Sequence, residues 1–334
     1  MFGNCRGLAY LRRASLGGAL VLALSGPTWA DDLVKSQGNW TVSGTLDADE
    51  SEEISGLRCV AASPRPTCLM VADETRFARR MELDGSMLIV GDKVDLLLPT
   101  AKKEADAEGV DIDLGFYYVT GSHGLSKGGN HQPTRYFVFR IAADVGSGEL
   151  GKVEASDRLL AALQMLPELK DFVNRRIEAG DAPREHGLNI EGLAVRDGQA
   201  FFGLRGPVQG DMAYVVRVPV AVLFGAEAAS AELFPVRLGN GQGIRDMAKV
   251  EGGMLLLSGP EAETAGHAAV FFWDGSSDAP RRLAGLDLGT AVEMKPEALL
   301  ILPEAGDAYR ILIMSDSAAQ GQPREYRIPK PATM

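Results

Sequence analysis

Residues 108–124 read EGVDIDLGFYYVTGSHG, and residues 191–207 read EGLAVRDGQAFFGLRGP; the two stretches align without a gap over 17 residues. Each opens on an acid, a glycine and an aliphatic residue. Each then meets a second glycine (Gly115, Gly198) and runs through an apolar segment into a polar cluster, Gly121-Ser122-His123 or Arg205-Gly206-Pro207. Weaker copies begin at Ser55, Arg245 and Glu297, so that the five equivalent positions 55, 108, 191, 245 and 297 are spaced by 53, 83, 54 and 52 residues. A supersecondary unit duplicated at such a period predicts a repeat architecture, and repeats concentrate function on one face.

The third unit is the clearest. Residues 190–195, 200–204, 212–218 and 231–238 read as four strands, with Asp197-Gly198 as a hairpin turn between the first two. Four strands per unit, repeated radially, is the pattern of an all-β β-propeller. Five units fill the chain, which favours five blades. Six result if residues 266–288, which include Ala268 to Trp273, form a degenerate blade of their own. The strand-like stretch 39–46 precedes the first unit and is placed to close the ring against the last blade, removing an exposed edge.

The long spacing implies an insertion between the second and third copies. Residues 157–179 carry Leu159, Leu160, Leu163, Leu166, Leu169, Phe172, Val173 and Ile177 at three-to-four-residue intervals, the pattern of an amphipathic helix. Ser156 is the expected N-cap and Gly180 the stop, while Pro167 breaks the run or starts a second helix. A clip packed on the sheets and a lid over a site are the two readings of this segment.

The first 30 residues stand apart. Arg6, Arg12 and Arg13 precede an apolar run of about a dozen residues, too short to span a bilayer, and Thr28-Trp29-Ala30 is a small-x-Ala cleavage site. This predicts a signal peptide over 1–30, cleavage near Ala30 and a single domain over 31–334 in the periplasm or secreted beyond it, with no membrane span in the mature chain. The formal net charge falls from −11 to −14 when the three leader arginines leave. An acidic surface without a basic block argues against nucleic acid and anionic membrane as partners. It leaves a small-molecule ligand, an anionic one included, or a periplasmic protein. Cys5 leaves with the leader. Cys59 and Cys68 remain, and in an exported protein they are expected to form a disulfide, with a free nucleophilic thiol as the rival reading. No zinc-like Cys/His spacing occurs.

The first two strands of a blade are antiparallel, so the acid that opens the first lies beside the polar cluster that ends the second. One rim is expected to gather Asp73 and Glu74, Glu108 with Ser122 and His123, Glu191 with Arg205, Arg245 and Asp246 with Ser258, and Glu297 with Asp316. Converging carboxylates suit Ca²⁺, which takes six to eight oxygens, and Glu108, Glu191 and Glu297 are the candidate ligands. His123 and Glu191 are candidate acid/base groups. Ser122, Arg205, Arg245, Asp246 and Asp316 are candidates to hold a ligand. The competing reading is architectural, with the acids accepting backbone N–H groups of neighbouring blades. No GxSxG elbow is present, and Gly239-Asn240-Gly241-Gln242-Gly243 precedes a strand, as an inter-blade turn does, and not a helix. The Gly-rich stretch 121–130, with Lys127, reads as a loop at the channel mouth. His131, His186 and His267 fall in expected surface loops.

The stretches Asn189 to Ala194, Gly203 to Pro207 and Tyr118 to His123 together resemble an uncharacterised bacterial family, a domain of unknown function, over roughly residues 50–330. That family is similar in repeat pattern to the phytase-like esterase propellers. The resemblance implies a propeller and, by analogy of fold, a metal-assisted hydrolase of phosphate or carboxylic esters. The chain departs from a regular acidic ring at Ser55 and Arg245, with Asp246 one residue on as a substitute. A non-catalytic binding or scaffold propeller is the alternative.

Overall fold

Five sheets, antiparallel but for two added outer strands, are arranged around one axis in the computed structural model, which describes Met1 and residues 33–126, 129–144, 146–173, 187–262, 267–289, 294–303 and 306–331. The signal-peptide segment, Lys127, Gly180 and His186 lie outside the described residues. The innermost strands of the five blades are Ile54–Val60, Ala107–Asp113, Asn189–Arg196, Gln242–Val250 and Lys295–Ile301, and each blade then meanders outward. The protein is therefore a five-bladed β-propeller. The expected alternative of a sixth blade is not met among the described residues 267–288: Ala269–Trp273 and Arg281–Asp287 are the third and fourth strands of the fourth blade. The four strands expected in the third unit are present as Asn189–Arg196, Gln199–Gln209, Met212–Pro219 and Glu232–Arg237.

The opening motif is explained by how closely the inner strands pack. A Cβ on Gly109 would come within 2.8 Å of the Glu191 carbonyl oxygen, and one on Gly192 within 2.7 Å of the Met247 side chain. The glycine after each acid is where the next blade presses against the strand, so any side chain there would force the ring apart. The aliphatic residue that follows enters the apolar layers between blades. Leu57, Met70 and Met81 meet Leu300, Leu312 and Met314 across the seam of the first and last blades.

Ring closure is more extensive than expected. Leu33–Lys35 adds a parallel strand outside the fourth blade, Gly38–Asn39 pairs with Arg324–Pro329 of the fifth, and Thr41–Ser43 adds a parallel strand outside the first. One short N-terminal strap thus crosses three blades. Trp40, buried in the strap, packs into the seam, and its Nε1–H donates to Glu325 at 3.0 Å.

The insertion contains less helix than its spacing predicts. A one-turn helix spans Leu159–Leu163, and turns follow to Val173. Ahead of Pro167 the hydrogen bonds tighten to the three-residue spacing, Met165 to Ala162 and Leu166 to Leu163. Ser156 is not the N-cap; Arg158 occupies that place, and the Ser156 hydroxyl donates to the Leu223 carbonyl at 2.5 Å. Leu159, Leu163, Leu166 and Leu169 are buried with Tyr118, Val216 and Val222, in the core shared by the second and third blades. The described part of the segment is a clip. Cys59 and Cys68 are directly opposite on the first hairpin and are disulfide-bonded, with Cα atoms 3.9 Å apart.

Candidate functional site: an acidic channel mouth above a paired floor

The ladder between the first two strands slips by one residue in every blade. The slips fall between Ile54 and Gly56, Ala107 and Gly109, Ile190 and Gly192, Ile244 and Asp246, and Pro296 and Ala298. The unpaired residue is in turn Ser55, Glu108, Glu191, Arg245 and Glu297, the five equivalent positions of the repeat. A β-bulge re-aims a side chain that the pleat would otherwise direct into a blade interface. The bulges make these five residues a set.

A cavity of about 130 Å³ opens among them. Glu53 and Asp73 of the first blade and Glu108 of the second line one side; Glu191 and Arg205 of the third blade, and Lys295, Glu297, Asp316 and Ser317 of the fifth, line the other. All nine side chains are polar or charged. The expected rim therefore exists for Glu108, Glu191, Glu297, Arg205, Asp316 and Asp73. Glu53, Lys295 and Ser317 were not foreseen. The first two lie two residues before an equivalent position, a signal the repeat carried but which is masked by Asp106, Asn189 and Gly243 at the same place in the other blades.

The charges are not evenly matched. Arg205 donates to Glu191 at 2.9 Å, Arg245 approaches the other Glu191 oxygen at 3.3 Å and donates to Glu297 at 2.6 Å, and Lys295 donates to Asp316 at 2.9 Å. Arg245 is 2% exposed and also donates to the Pro260 carbonyl at 2.7 Å, so it serves as a clamp behind two glutamates. The other wall lacks such clamps. Glu108 is 7% exposed, and among the described residues no donor or cation reaches its carboxyl. Asp73 Oδ1 is likewise buried without a hydrogen-bond partner among the described residues. Burial, followed by the charges of Asp106 and Glu191, pushes the Glu108 carboxyl well above the usual carboxylate range. Burial and the neighbouring Asp106 and Glu53 raise Asp73 to about 9. Burial and Glu191 raise Glu297 to about 8, against the pull of Arg245.

Asp246 is not part of this mouth. It is fully buried below it; one oxygen accepts the Met247 N–H at 2.7 Å and the Arg58 guanidinium at 3.3 Å, and the other accepts the Leu299 N–H of the next blade at 2.7 Å. The bulge at Arg245 turns its neighbour downward, so Asp246 fastens blades and does not replace the missing rim acid. Asp111 does the same one blade-pair away, accepting the Val195 N–H at 2.6 Å. Arg58 crosses the channel between them, 3.3 Å from Asp111, and donates to the carbonyls of Val110 at 3.2 Å, Met247 at 2.5 Å and Leu299. Lys249 completes the layer, bonding the carbonyls of Ile112 at 2.5 Å and Val195 at 2.6 Å. The architectural role expected of rim acids belongs to these deeper ones.

Ser122 and His123 are also away from the cavity lining. The Ser122 hydroxyl accepts the Gly124 N–H at 3.2 Å. His123 is fully buried at a backbone φ of 57°, its Nδ1 lies 3.0 Å from the Gly121 carbonyl oxygen, and its ring meets the edge of Tyr136. Burial lowers its pKa to about 4, which keeps it neutral. The chain turns left-handed at His123, and the turn carries the side chain away from the mouth. His131 and His267 are exposed, with His131 stacked on Tyr136. Ser258 is fully buried at the end of its strand. Among the described residues no group of three or more His, Cys, Asp or Glu is arranged to hold a metal ion.

By structure the chain is similar to glutaminyl cyclase of Myxococcus xanthus, at 9% identity over 89% of this chain and 97% of that one, with a TM-score of 0.43. It is similar also to a GH43_1 enzyme of Xanthomonas citri (9% identity, 84% and 88% covered, TM-score 0.46) and to an α-L-arabinofuranosidase of Podospora anserina (9%, 90% and 98%, 0.46). No curated protein matches by sequence. Residues 131–327, more than half of the chain, match the family described as "Protein of unknown function (DUF3616)", and the chain belongs to that family.

Proposed function

We propose that the protein is an exported propeller, periplasmic or secreted after cleavage near Ala30, whose channel mouth binds a small, positively charged ligand. One observation carries the reading: the carboxyls of Glu108 and Asp73 face a polar cavity without a cation or donor of the described residues to match them. Buried carboxyls left so are costly unless something else supplies the charge. An occupant bearing positive charge would supply it, and Ca²⁺ is the simplest such occupant, although Glu108, Glu191 and Glu297 are not grouped around one ion position. The phosphate-ester branch of the phytase-like analogy fares poorly on the same ground. Arg205, Arg245 and Lys295 already engage Glu191, Glu297 and Asp316, and an anion would enter facing an excess of acid.

Titration calorimetry of the full chain with Ca²⁺ and with small organic cations tests the reading. Saturable binding of at least one, lost in the double variant Asp73→Asn/Glu108→Gln, is expected. Absence of binding by all of them, with the wild-type protein folded, overturns it.

A second reading is supported by the pairing of unlike carboxyls. Glu191 is held by two guanidinium groups, while Glu297 beside it, sharing Arg245, is pushed up to about 8 by burial and by Glu191. Environments that separate two carboxyls in this way suit one as base and the other as acid. Hydrolysis of an uncharged carboxylic ester is the chemistry that fits. A panel of carboxylic and phosphate esters checks it: turnover of the former, abolished in Glu191→Gln, is expected of an enzyme, and inactivity toward both leaves the binding role alone.

A further inference from the structure

We infer that the occupant of the mouth is a hydroxylated primary ammonium compound, seated with its nitrogen against Glu108 and Asp73; this rests on the cation-binding reading and narrows it. Three features argue for this class.

The first is the donor arrangement. Glu108 is more than nine-tenths buried, lines the cavity and has no partner among the described residues, and Asp73 Oδ1 beside it is buried without one. A bare Ca²⁺ requires six to eight oxygens at 2.3–2.6 Å, roughly. The carboxyls here are supplied by different blades, and no three of the described acids are grouped for one ion. An ammonium group makes fewer demands: it has three N–H donors, each satisfied by a separate acceptor at about 2.8 Å.

The second is what the lining lacks. No aromatic ring faces the cavity among the residues that line it. Quaternary ammonium groups, which have no N–H to donate, are held by aromatic faces. The mouth offers hydrogen-bond acceptors in place of such faces, so it selects for N–H bearing cations and against methylated ones.

The third is the opposite wall. Ser317, Asp316, Lys295 and Arg205 present both donors and acceptors, and no aliphatic side chain lies among them. A hydrocarbon tail would gain nothing there and would strip water from charged groups. Hydroxyl groups can replace that water bond for bond. The cavity, about 130 Å³, holds several atoms beyond the nitrogen.

Calorimetry on the full chain with four probes at equal concentration tests the inference: ethanolamine, tetramethylammonium chloride, ethylene glycol and calcium chloride. Ethanolamine is expected to bind, with affinity reduced by roughly tenfold or more in Glu108→Gln, the loss of one charged hydrogen bond. Tetramethylammonium and ethylene glycol, which lack the N–H and the charge respectively, are expected to give no heat. Thermal melting of Glu108→Gln at or above the wild-type midpoint shows that the loss is not unfolding; should that variant melt lower, Asp73→Asn supplies the same comparison. Binding of calcium without ethanolamine overturns the inference and leaves the cation site standing. Binding of tetramethylammonium as tightly as ethanolamine, or ethanolamine binding unchanged in both Glu108→Gln and Asp73→Asn, also overturns it. Silence from every probe overturns the underlying reading as well.

Discussion

The floor and the mouth of the channel are built from the same inner strands, a few residues apart, and both are crowded with charge. In the floor, Asp111 and Asp246 each face Arg58, each fastens a backbone N–H of a neighbouring blade, and Lys249 caps two more carbonyls. In the mouth, the third and fifth blades pair their acids with Arg205, Arg245 and Lys295, whereas Glu108 and Asp73 face the cavity without such partners. The difference separates a charge that holds the ring together from a charge held ready for something else. Complete pairing across blades marks architecture; a deficit of positive charge inside a polar cavity marks a site.

The largest effect should come from breaking the floor. Arg58→Met removes a side chain that ties the first blade to the second, fourth and fifth, leaving Asp246 buried without its guanidinium partner and Asp111 with Lys249 alone. Breaking a buried ion pair in this way costs about 3–5 kcal/mol, to be read from urea unfolding at neutral pH. If Arg58→Met unfolds at the wild-type midpoint, the floor is not the fastening described.

The matching change in the mouth should cost little. Glu108→Gln removes a carboxyl whose charged form is disfavoured by burial and that has no partner among the described residues, so stability is expected to stay within about 1 kcal/mol of wild type or to rise. A loss as large as that of Arg58→Met would make Glu108 architectural and dissolve the contrast.

The acidity of the mouth gives a pH signature. Asp73 is raised to about 9, Glu297 to about 8 and, in the floor, Asp246 to about 7, each first by burial. A carboxyl raised in the fold holds a proton that the unfolded chain has released, so the native state binds more protons between the two values. Its contribution is present below the unfolded value, near 4, and is lost as pH rises through the folded one. Stability of the ligand-free protein should therefore fall between about pH 5 and 9. In Asp73→Asn the decline above pH 8 should be shallower. Thermal melts across that range check both.

The smallest effect is expected at His123. His123→Asn keeps a residue tolerant of the left-handed backbone, and because the ring does not line the cavity, ligand affinity should change by no more than about twofold, as measured by the calorimetry above. A larger change would bring His123 back into the site.

Much of this architecture is legible in the sequence. The spacing of positions 55, 108, 191, 245 and 297 implied the blades, and strand direction implied that Glu108, Glu191, Arg205, Glu297 and Asp316 share a rim. What stayed hidden follows from physics that a repeat does not encode. Asp246 and Glu108 look alike as letters next to one another in the motif, yet a one-residue bulge sends one up and the other down. Ser122 and His123 end the strand as Arg205 does, but a left-handed turn at His123 takes its ring elsewhere. The periodic leucines of 157–173 report burial, but only Leu159–Leu163 of the expected helix forms among the described residues, because the core between two blades rewards apolar side chains whatever the backbone does.

The strap has a consequence for how the molecule comes into being. Trp40 bonds to Glu325 across 285 residues of sequence, and the short strands at 33–43 have nothing to pair with until the first, fourth and fifth blades exist. A segment that precedes the blades it straps is thus among the last to find its place, and contacts this distant in sequence slow the search for the native state. A nascent chain cannot close its ring early.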